Sequence, residues 1–142
     1  MTRRSVLRAL LALVCVSHLV LGVIAFASSP GPVTDAIAAV YGASMTLTPE
    51  MQHVIRILGA YLITIGVLGG FAFVNPQRNR AVIQAVVLLL VLRVSQRIIF
   101  ARAIQEAFGI SLGRLWFQSA FFLTLAAALF FLRPKKEGTE QV

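Results

Sequence analysis

The chain has 142 residues, enough for one domain, and 58% of them are hydrophobic while only 13% are charged. This composition is far more apolar than that of an average soluble domain, so it indicates a membrane protein. The net charge of +8 would favour nucleic-acid binding in a soluble protein. Here the basic residues mostly flank apolar runs, and we expect the lipid bilayer, not nucleic acid, to be the partner.

Four segments are predicted to cross the bilayer, since a helix needs ~20 mainly apolar residues to cover ~30 Å of hydrocarbon. They span residues 7–27, 52–74, 80–101 and 114–132, and a polar tail at 134–142 is expected to be disordered. The third span is irregular because Arg93 and Arg97 interrupt its apolar run. The sequence predicts an all-α four-helix transmembrane bundle that forms a single domain over residues 1–142.

The first span has a second interpretation as a cleaved secretory signal. Arg3 and Arg4 precede an apolar run that ends in Ala-Phe-Ala at residues 25–27, which resembles a cleavage site. The run is longer than the ~7–15 residues of a signal core, and it contains His18. These two features favour an uncleaved span, whereas cleavage would leave three spans.

The distribution of basic residues predicts that both termini lie in the cytoplasm. Basic residues resist translocation, so they mark the cytoplasmic ends of spans. Eight of them flank the predicted spans at the chain termini and at the connection between spans two and three: Arg3, Arg4, Arg8, Arg78, Arg80, Arg133, Lys135 and Lys136. The opposite connection, residues 28–50, contains Asp35 and Glu50 but no Lys or Arg.

The connection between spans one and two carries signals for a further helix. Residues 30–41 begin with two prolines and continue with apolar residues at helical spacing, and Gly42 follows. We predict a short interfacial helix there, on the outer membrane surface. The Thr-Pro-Glu run at 48–50 predicts an N-cap for the next helix. The third spanning helix is predicted to run unbroken to about Phe108, before Gly109.

The most unusual feature is a polar stripe inside the third span. Arg93, Gln96 and Arg97 are three or four residues apart and project to one side of a helix. An arginine at the centre of a span costs about 2.5–3.5 kcal/mol on insertion scales, so it should face the bundle interior and have partners. His18, Tyr61 and Gln118 lie in the other spans, at depths estimated from the rise per residue of a helix. We therefore expect them to belong to the same candidate ligand-binding layer.

A ring of mixed charge is predicted nearer the outer surface. Its members are Glu50, His53, Arg56, Arg102 and Glu106. One interpretation is structural: Arg97, Arg102 and Arg56 pair with the two acids and fasten the helix ends. The other is a cationic pocket, open to the outer leaflet, that holds an anionic or carbonyl-bearing ligand.

Glycines mark one face of the second span. Gly59, Gly66 and Gly70 project close to that face of the helix, and the last two have the GxxxG spacing that permits close approach of two backbones. The face is expected to pack against a neighbouring helix of the bundle, or else against another membrane protein or a second copy. His18 and the single Cys15 lack partners at metal-ligand spacing, so we predict no metal site. The sequence has no nucleophile elbow, P-loop or paired-carboxylate pattern, so we predict no cofactor and no catalytic residues.

Several runs resemble small bacterial four-helix membrane proteins of the BphX-like and related uncharacterised kind. They are residues 56–62, Asn75-Pro76, Arg80, Leu92-Arg93 and Gln96-Arg97, within a resemblance that covers about residues 52–130. The resemblance implies a bacterial inner-membrane location and a similar fold, and it assigns no functional residue.

The leading functional expectation is a non-enzymatic protein that binds a small amphiphilic or anionic ligand or lipid at the arginine site. An accessory subunit that docks another membrane protein through the glycine face is the alternative. A transporter or membrane enzyme is a third class, and it is less favoured because paired repeats and broken helices are absent from the sequence pattern.

Overall fold

The computed structural model describes residues 2–43 and 45–134. Within these ranges it is helical and contains no strand, which confirms the predicted all-α class. The helices are α1 (Arg3–Ala27), α2 (Pro30–Tyr41), α3 (Pro49–Val74), α4 (Arg80–Ile99), α5 (Ala101–Phe108) and α6 (Leu112–Leu132). The predicted polar tail lies, after Pro134, outside the described residues.

Four of the helices, α1, α3, α4 and α6, are long and apolar enough to cross a membrane. No more than 28% of the most apolar stretch of any of them is buried inside the protein. Their outward faces carry large apolar side chains, such as Val16, Leu88 and Phe117. A surface this apolar is suited to lipid contact and would be an aggregation hazard in water.

Local signals set several helix boundaries as predicted. Thr48 caps α3 by accepting a hydrogen bond from the backbone N–H of Met51, and Pro49 occupies the first helical position. Gly42 ends α2 in the left-handed conformation, with φ 70° and ψ 22°. Gly109 ends α5 in the same way, with φ 65°.

The predicted unbroken third helix is instead two helices, because Phe100 leaves helical geometry at φ −105° and ψ 22°. After the break, the apolar residues Ala101, Ile104 and Phe108 of α5 pack on a small cluster formed by Ala43, Ile110 and Leu115. Burial of this apolar face gives the break its physical reason.

The spanning helices pair mainly as α1 with α3 and α4 with α6. One end of the bundle, here called the base, comprises residues 3–8, 74–80 and 131–134. The opposite end, called the top, comprises residues 27–43, 45–56 and 97–115. The main apolar core lies towards the base, and its fully buried side chains include Leu11, Ile83 and Leu129. Because α1 contributes Leu7, Leu11 and Val14, cleavage after Ala27 would remove part of this core.

The glycine face of α3 lies against α1. A Cβ atom built on Gly59 would fall 2.6 Å from the backbone nitrogen of Phe26, and one built on Gly66 would fall 2.7 Å from the Leu19 side chain. Gly70 has more room, since its Cβ would lie 3.5 Å from the Cys15 sulfur. The close approach of two backbones is what small-residue faces allow in membranes.

Candidate functional site

Two arginines from α4 lie on the top side of the apolar core. Arg93 and Arg97 are one helical turn apart on α4, and they face Gln118 and Phe122 of α6 and Tyr41, the last residue of α2. These five residues are called the arginine cluster below. The cluster brings residues from three separate helices to one polar layer.

The guanidinium of Arg93 interacts with two aromatic side chains. Its Nη2 donates a hydrogen bond to the Tyr41 hydroxyl. Its guanidinium carbon lies 4.7 Å from the centre of the Phe122 ring and 5.6 Å from that of Tyr41, both within cation–π range. These contacts offset part of the desolvation of its charge, and no acidic side chain of the described residues pairs with it.

Arg97 is the more deeply buried of the two, with 7% of its surface exposed. Its Nη1 donates to Oε1 of Gln118 over 2.7 Å. It shares both aromatic rings with Arg93, at 5.3 Å from Phe122 and 5.5 Å from Tyr41. A guanidinium has five N–H donors, and that bond to Gln118 is the one Arg97 makes within the described residues.

The C-terminus of α2 supplies the nearest negative potential. Arg114 Nη2 donates to the carbonyl of Ala39 over 2.8 Å, and Gln118 Nε2 donates to the carbonyl of Val40 over 2.7 Å. These carbonyls belong to the last turn, which has no intrahelical donors for them. A helix C-terminus is equivalent to about −0.5 charge. It therefore compensates only part of the two arginine charges, and the cluster keeps a positive excess.

The Gly42→Ala variant should loosen this attachment of α2 and lower stability by about 2 kcal/mol. The left-handed conformation costs a non-glycine residue roughly 1–2 kcal/mol, and the new Cβ would also collide with the Arg114 guanidinium. Gly109→Ala is the matched control, because Gly109 has the same conformation but no heavy atom within 4 Å of an added Cβ. Thermal unfolding in detergent should show the larger loss for Gly42→Ala. Equal losses would contradict a role for Arg114 in holding α2.

A cavity of about 510 Å³ opens beside Arg97, at the top of the bundle between α3 and the α4–α6 pair. Its volume lies within the ~300–1,000 Å³ of small-molecule sites. Most of its lining is aliphatic or aromatic, and its polar groups are few. The lining residues are Ile37, Tyr41, Ala43, Met45, Glu50, Met51, Val54, Ile55, Gln96, Arg97, Ile104, Phe108, Ile110, Leu115 and Gln118.

A second cavity, of about 500 Å³, shares three polar lining residues with the first. Tyr41, Arg97 and Gln118 line both cavities, and the second is otherwise walled mainly by aromatic residues, including Phe117 and Phe121. The guanidinium of Arg97 is therefore placed where apolar spaces meet. An anionic group bound there would find apolar room for an attached chain.

The structure brings together only part of the predicted ligand-binding layer. Arg93, Arg97 and Gln118 belong to the cluster, and Gln96 is exposed at the rim of the cavity. His18 is buried, but its Nδ1 bonds the carbonyl of Val14 in its own helix over 2.8 Å. Tyr61 faces outward with 64% of its surface exposed, so it lies away from the cluster.

The residues predicted to form the charged ring all lie at the top and are exposed. They are Glu50, His53, Arg56, Arg102 and Glu106. No hydrogen bond or ion pair joins any of them to Arg97 within the part of the chain that the structure describes. Glu50 is the member that lines the cavity. Its exposed carboxylate belongs to the rim, while the buried Arg97 forms the polar inner wall.

Tyr41 and Phe122 are cluster residues that the sequence pattern does not indicate. Tyr41 ends a helix outside the predicted spans, and Phe122 is one of 10 phenylalanines in the chain. The detectable signal was the position of Tyr41 immediately before Gly42, since a helix C-terminus offers both carbonyls and a fixed aromatic ring.

Within the described residues no group of three or more His, Cys, Asp or Glu side chains is placed to hold a metal ion. No protein-family model, curated protein or solved structure matches the chain. The resemblance to BphX-like proteins therefore stays a prediction.

Proposed function

We propose that this is a multi-pass membrane protein that binds a small anionic amphiphile, with the charged head at Arg97 and the apolar chain in the adjoining cavity. The observation that carries the proposal is the placement of Arg97. Arg97 is a buried residue, its guanidinium has Gln118 as its hydrogen-bonding partner, and it borders a largely apolar cavity of about 510 Å³. A carboxylate or phosphate is the natural partner for the remaining donors.

Charge balance supports an anionic head over a neutral one. Arg93 and Arg97 share Tyr41 and Phe122, so their charges lie close together in surroundings of low polarity. Like charges repel more strongly there than in water. An anion placed beside Arg97 reduces that repulsion, whereas an alcohol or ester head only accepts hydrogen bonds.

The proposed membrane arrangement has the base on the cytoplasmic side and the top, with α2, at the outer surface of a bacterial inner membrane. The first turn of α1 and the last turn of α6 meet at the base, where Arg3 donates to the carbonyl of Phe131. The basic residues near the base support this orientation by the positive-inside rule. The cavity at the top would then open towards the outer leaflet.

We do not propose docking of another protein through the glycine face of α3. Gly59 and Gly66 have no room even for an added Cβ, because α1 covers them. That surface is used within the chain, so it offers no specific support for an accessory subunit.

The head-group requirement is testable with two probes that share a chain. Palmitate and hexadecanol each have sixteen carbons and differ in the charge of the head, which we expect to matter at about pH 8.5, where a carboxyl is ionised. The protein in lipid nanodiscs should bind palmitate at least about tenfold more tightly, equivalent to about 1.4 kcal/mol. Native mass spectrometry of the loaded protein measures this ratio. Equal loading by the two probes would refute an anion-selecting site.

A further inference from the structure

A second and separate group of cations surrounds a small cavity at the base. The cavity has a volume of about 230 Å³ and lies between the first turns of α1, the turn before α4, and the end of α6. Three arginines line it, Arg3, Arg4 and Arg133. The rest of its wall is mostly apolar, with Leu7, Leu132 and Pro76 among its members.

The arginines of this cavity retain donors for a ligand. Arg3 already donates to the main-chain carbonyl of Phe131. The guanidinium of Arg133 stacks on the Phe130 ring at 3.9 Å from its centre. Stacking occupies the face of the group and leaves the N–H edge free. Arg4 donates no hydrogen bond to another residue in the described part of the chain, so Arg4 and Arg133 form the open pair.

Helix N-termini make the electrostatic potential at the base cavity more positive than its arginine side chains alone would. The N-termini of α1 and α4 lie at the base, and neither helix has an acid in its first turn. A helix N-terminus carries a partial positive charge and favours anions. The acids among the described residues, Asp35, Glu50 and Glu106, all lie at the top or in α2.

Arg8 and Arg80 add further positive charge at the base, and no acidic side chain of the described residues lies there. Each has a buried Nε atom without a hydrogen-bond partner. Arg8 also donates from Nη2 to the carbonyl of Val74, which fixes it between α1 and α3. These two residues do not line the cavity, but their charges raise the potential within reach of it.

We infer that the base cavity binds the phosphate group of an anionic phospholipid, held between Arg4 and Arg133. A phosphate oxygen accepts hydrogen bonds from two guanidinium groups and gains from the α1 N-terminus. The apolar wall of Leu7 and Leu132 favours a lipid over free phosphate, because acyl chains continue from the head along the spanning helices. Basic pockets between membrane helices are known settings for such head groups. This site is independent of the one proposed at Arg97.

The experiment compares phosphatidylglycerol with phosphatidylcholine on the full chain in detergent, by native mass spectrometry. It is run at about 0.5 M salt, where a Debye length of roughly 4 Å suppresses general attraction to the basic surface. Both lipids carry a phosphodiester, but the quaternary ammonium of phosphatidylcholine cancels its negative charge and is repelled by the arginines of the cavity. We therefore expect phosphatidylglycerol to bind at least about tenfold more tightly than phosphatidylcholine, and we expect Arg4→Gln and Arg133→Gln each to reduce phosphatidylglycerol binding about tenfold. Equal binding of the two lipids would overturn the inference.

The matched control is Arg78→Gln, which removes the same charge from the base at an exposed position outside the cavity lining. It should change phosphatidylglycerol binding less than about twofold under these screened conditions. If Arg78→Gln reduced phosphatidylglycerol binding as much as Arg4→Gln does, the lipid would be attracted to the basic surface in general, and the proposed site would be wrong. Displacement of the lipid by low millimolar inorganic phosphate would reassign the cavity to free phosphate, whereas retention of the lipid supports the inference.

Discussion

Replacement of Gly59 by alanine is expected to destabilise the folded protein by about 2 kcal/mol, within the ~1–3 kcal/mol of overpacked sites. The added Cβ would lie 2.6 Å from the backbone nitrogen of Phe26 and 2.9 Å from the carbonyl oxygen of Gly22. Backbone atoms cannot rotate away as a side chain would, so α1 and α3 must separate. The loss is measured as the shift in unfolding midpoint in a mixed-detergent titration.

Gly70→Ala is the matched control for Gly59→Ala on the same helix. Its Cβ would lie 3.5 Å from the Cys15 sulfur, an ordinary van der Waals distance. Alanine is favoured over glycine in a helix interior by roughly 0.5–1 kcal/mol, so this variant should be neutral or slightly more stable. If both variants unfolded at the wild-type midpoint, the close pairing of α1 with α3 would be wrong.

Arg97→Gln should weaken palmitate binding about 100-fold, since removing one partner of a buried charge pair costs roughly 2–5 kcal/mol. Glutamine retains a donor towards Gln118 but removes the charge and the forked geometry that match a carboxylate. Wild type and variant are compared by native mass spectrometry across a palmitate titration. A variant that still binds palmitate with wild-type affinity would exclude Arg97 as the head-group site.

Two companion variants keep that result interpretable. Arg102→Gln removes an exposed arginine of α5 that does not line the cavity, and it should bind palmitate like the wild type. Ile104→Trp adds bulk to the apolar wall while leaving Arg97 in place. It should reduce palmitate binding through lost space, so the chain pocket is tested even if Arg97→Gln folds poorly. Unchanged binding in Ile104→Trp would count against the cavity as the place of the chain.

The long helices were predictable because their signals are local. Hydrophobic runs of sufficient length indicate spans, and the Thr48 cap and Gly42 stop act within a few residues of the boundary they set. The break at Phe100 was not predictable in this way. No proline or glycine marks it, and its reason is packing of α5 on a cluster that includes Ala43, which is distant in sequence.

The candidate site was predictable in part, through the free energy of burying charge. Arg93 and Arg97 were identified because an arginine inside a span must face inward and find partners. The identity of those partners depends on where α2 packs against the bundle, and the spacing of apolar residues in the sequence does not determine that position. The estimated depth of a residue in the membrane indicates Gln118, which contacts Arg97, and equally Tyr61. Depth does not say which way a side chain points around its helix, and the Tyr61 side chain faces outward.

The central claim is that Arg97 holds the head of an anionic amphiphile, and an experimental density map of the protein prepared with palmitate tests it most directly. We predict a carboxylate about 3 Å from the Arg97 guanidinium, at charge-assisted hydrogen-bond distance, with its chain extending past Leu115 and Ile104 in the cavity. A map in which the cavity holds no ligand and the Glu50 carboxylate pairs with Arg97 would contradict the claim, because the arginine would then serve to fasten the helix ends.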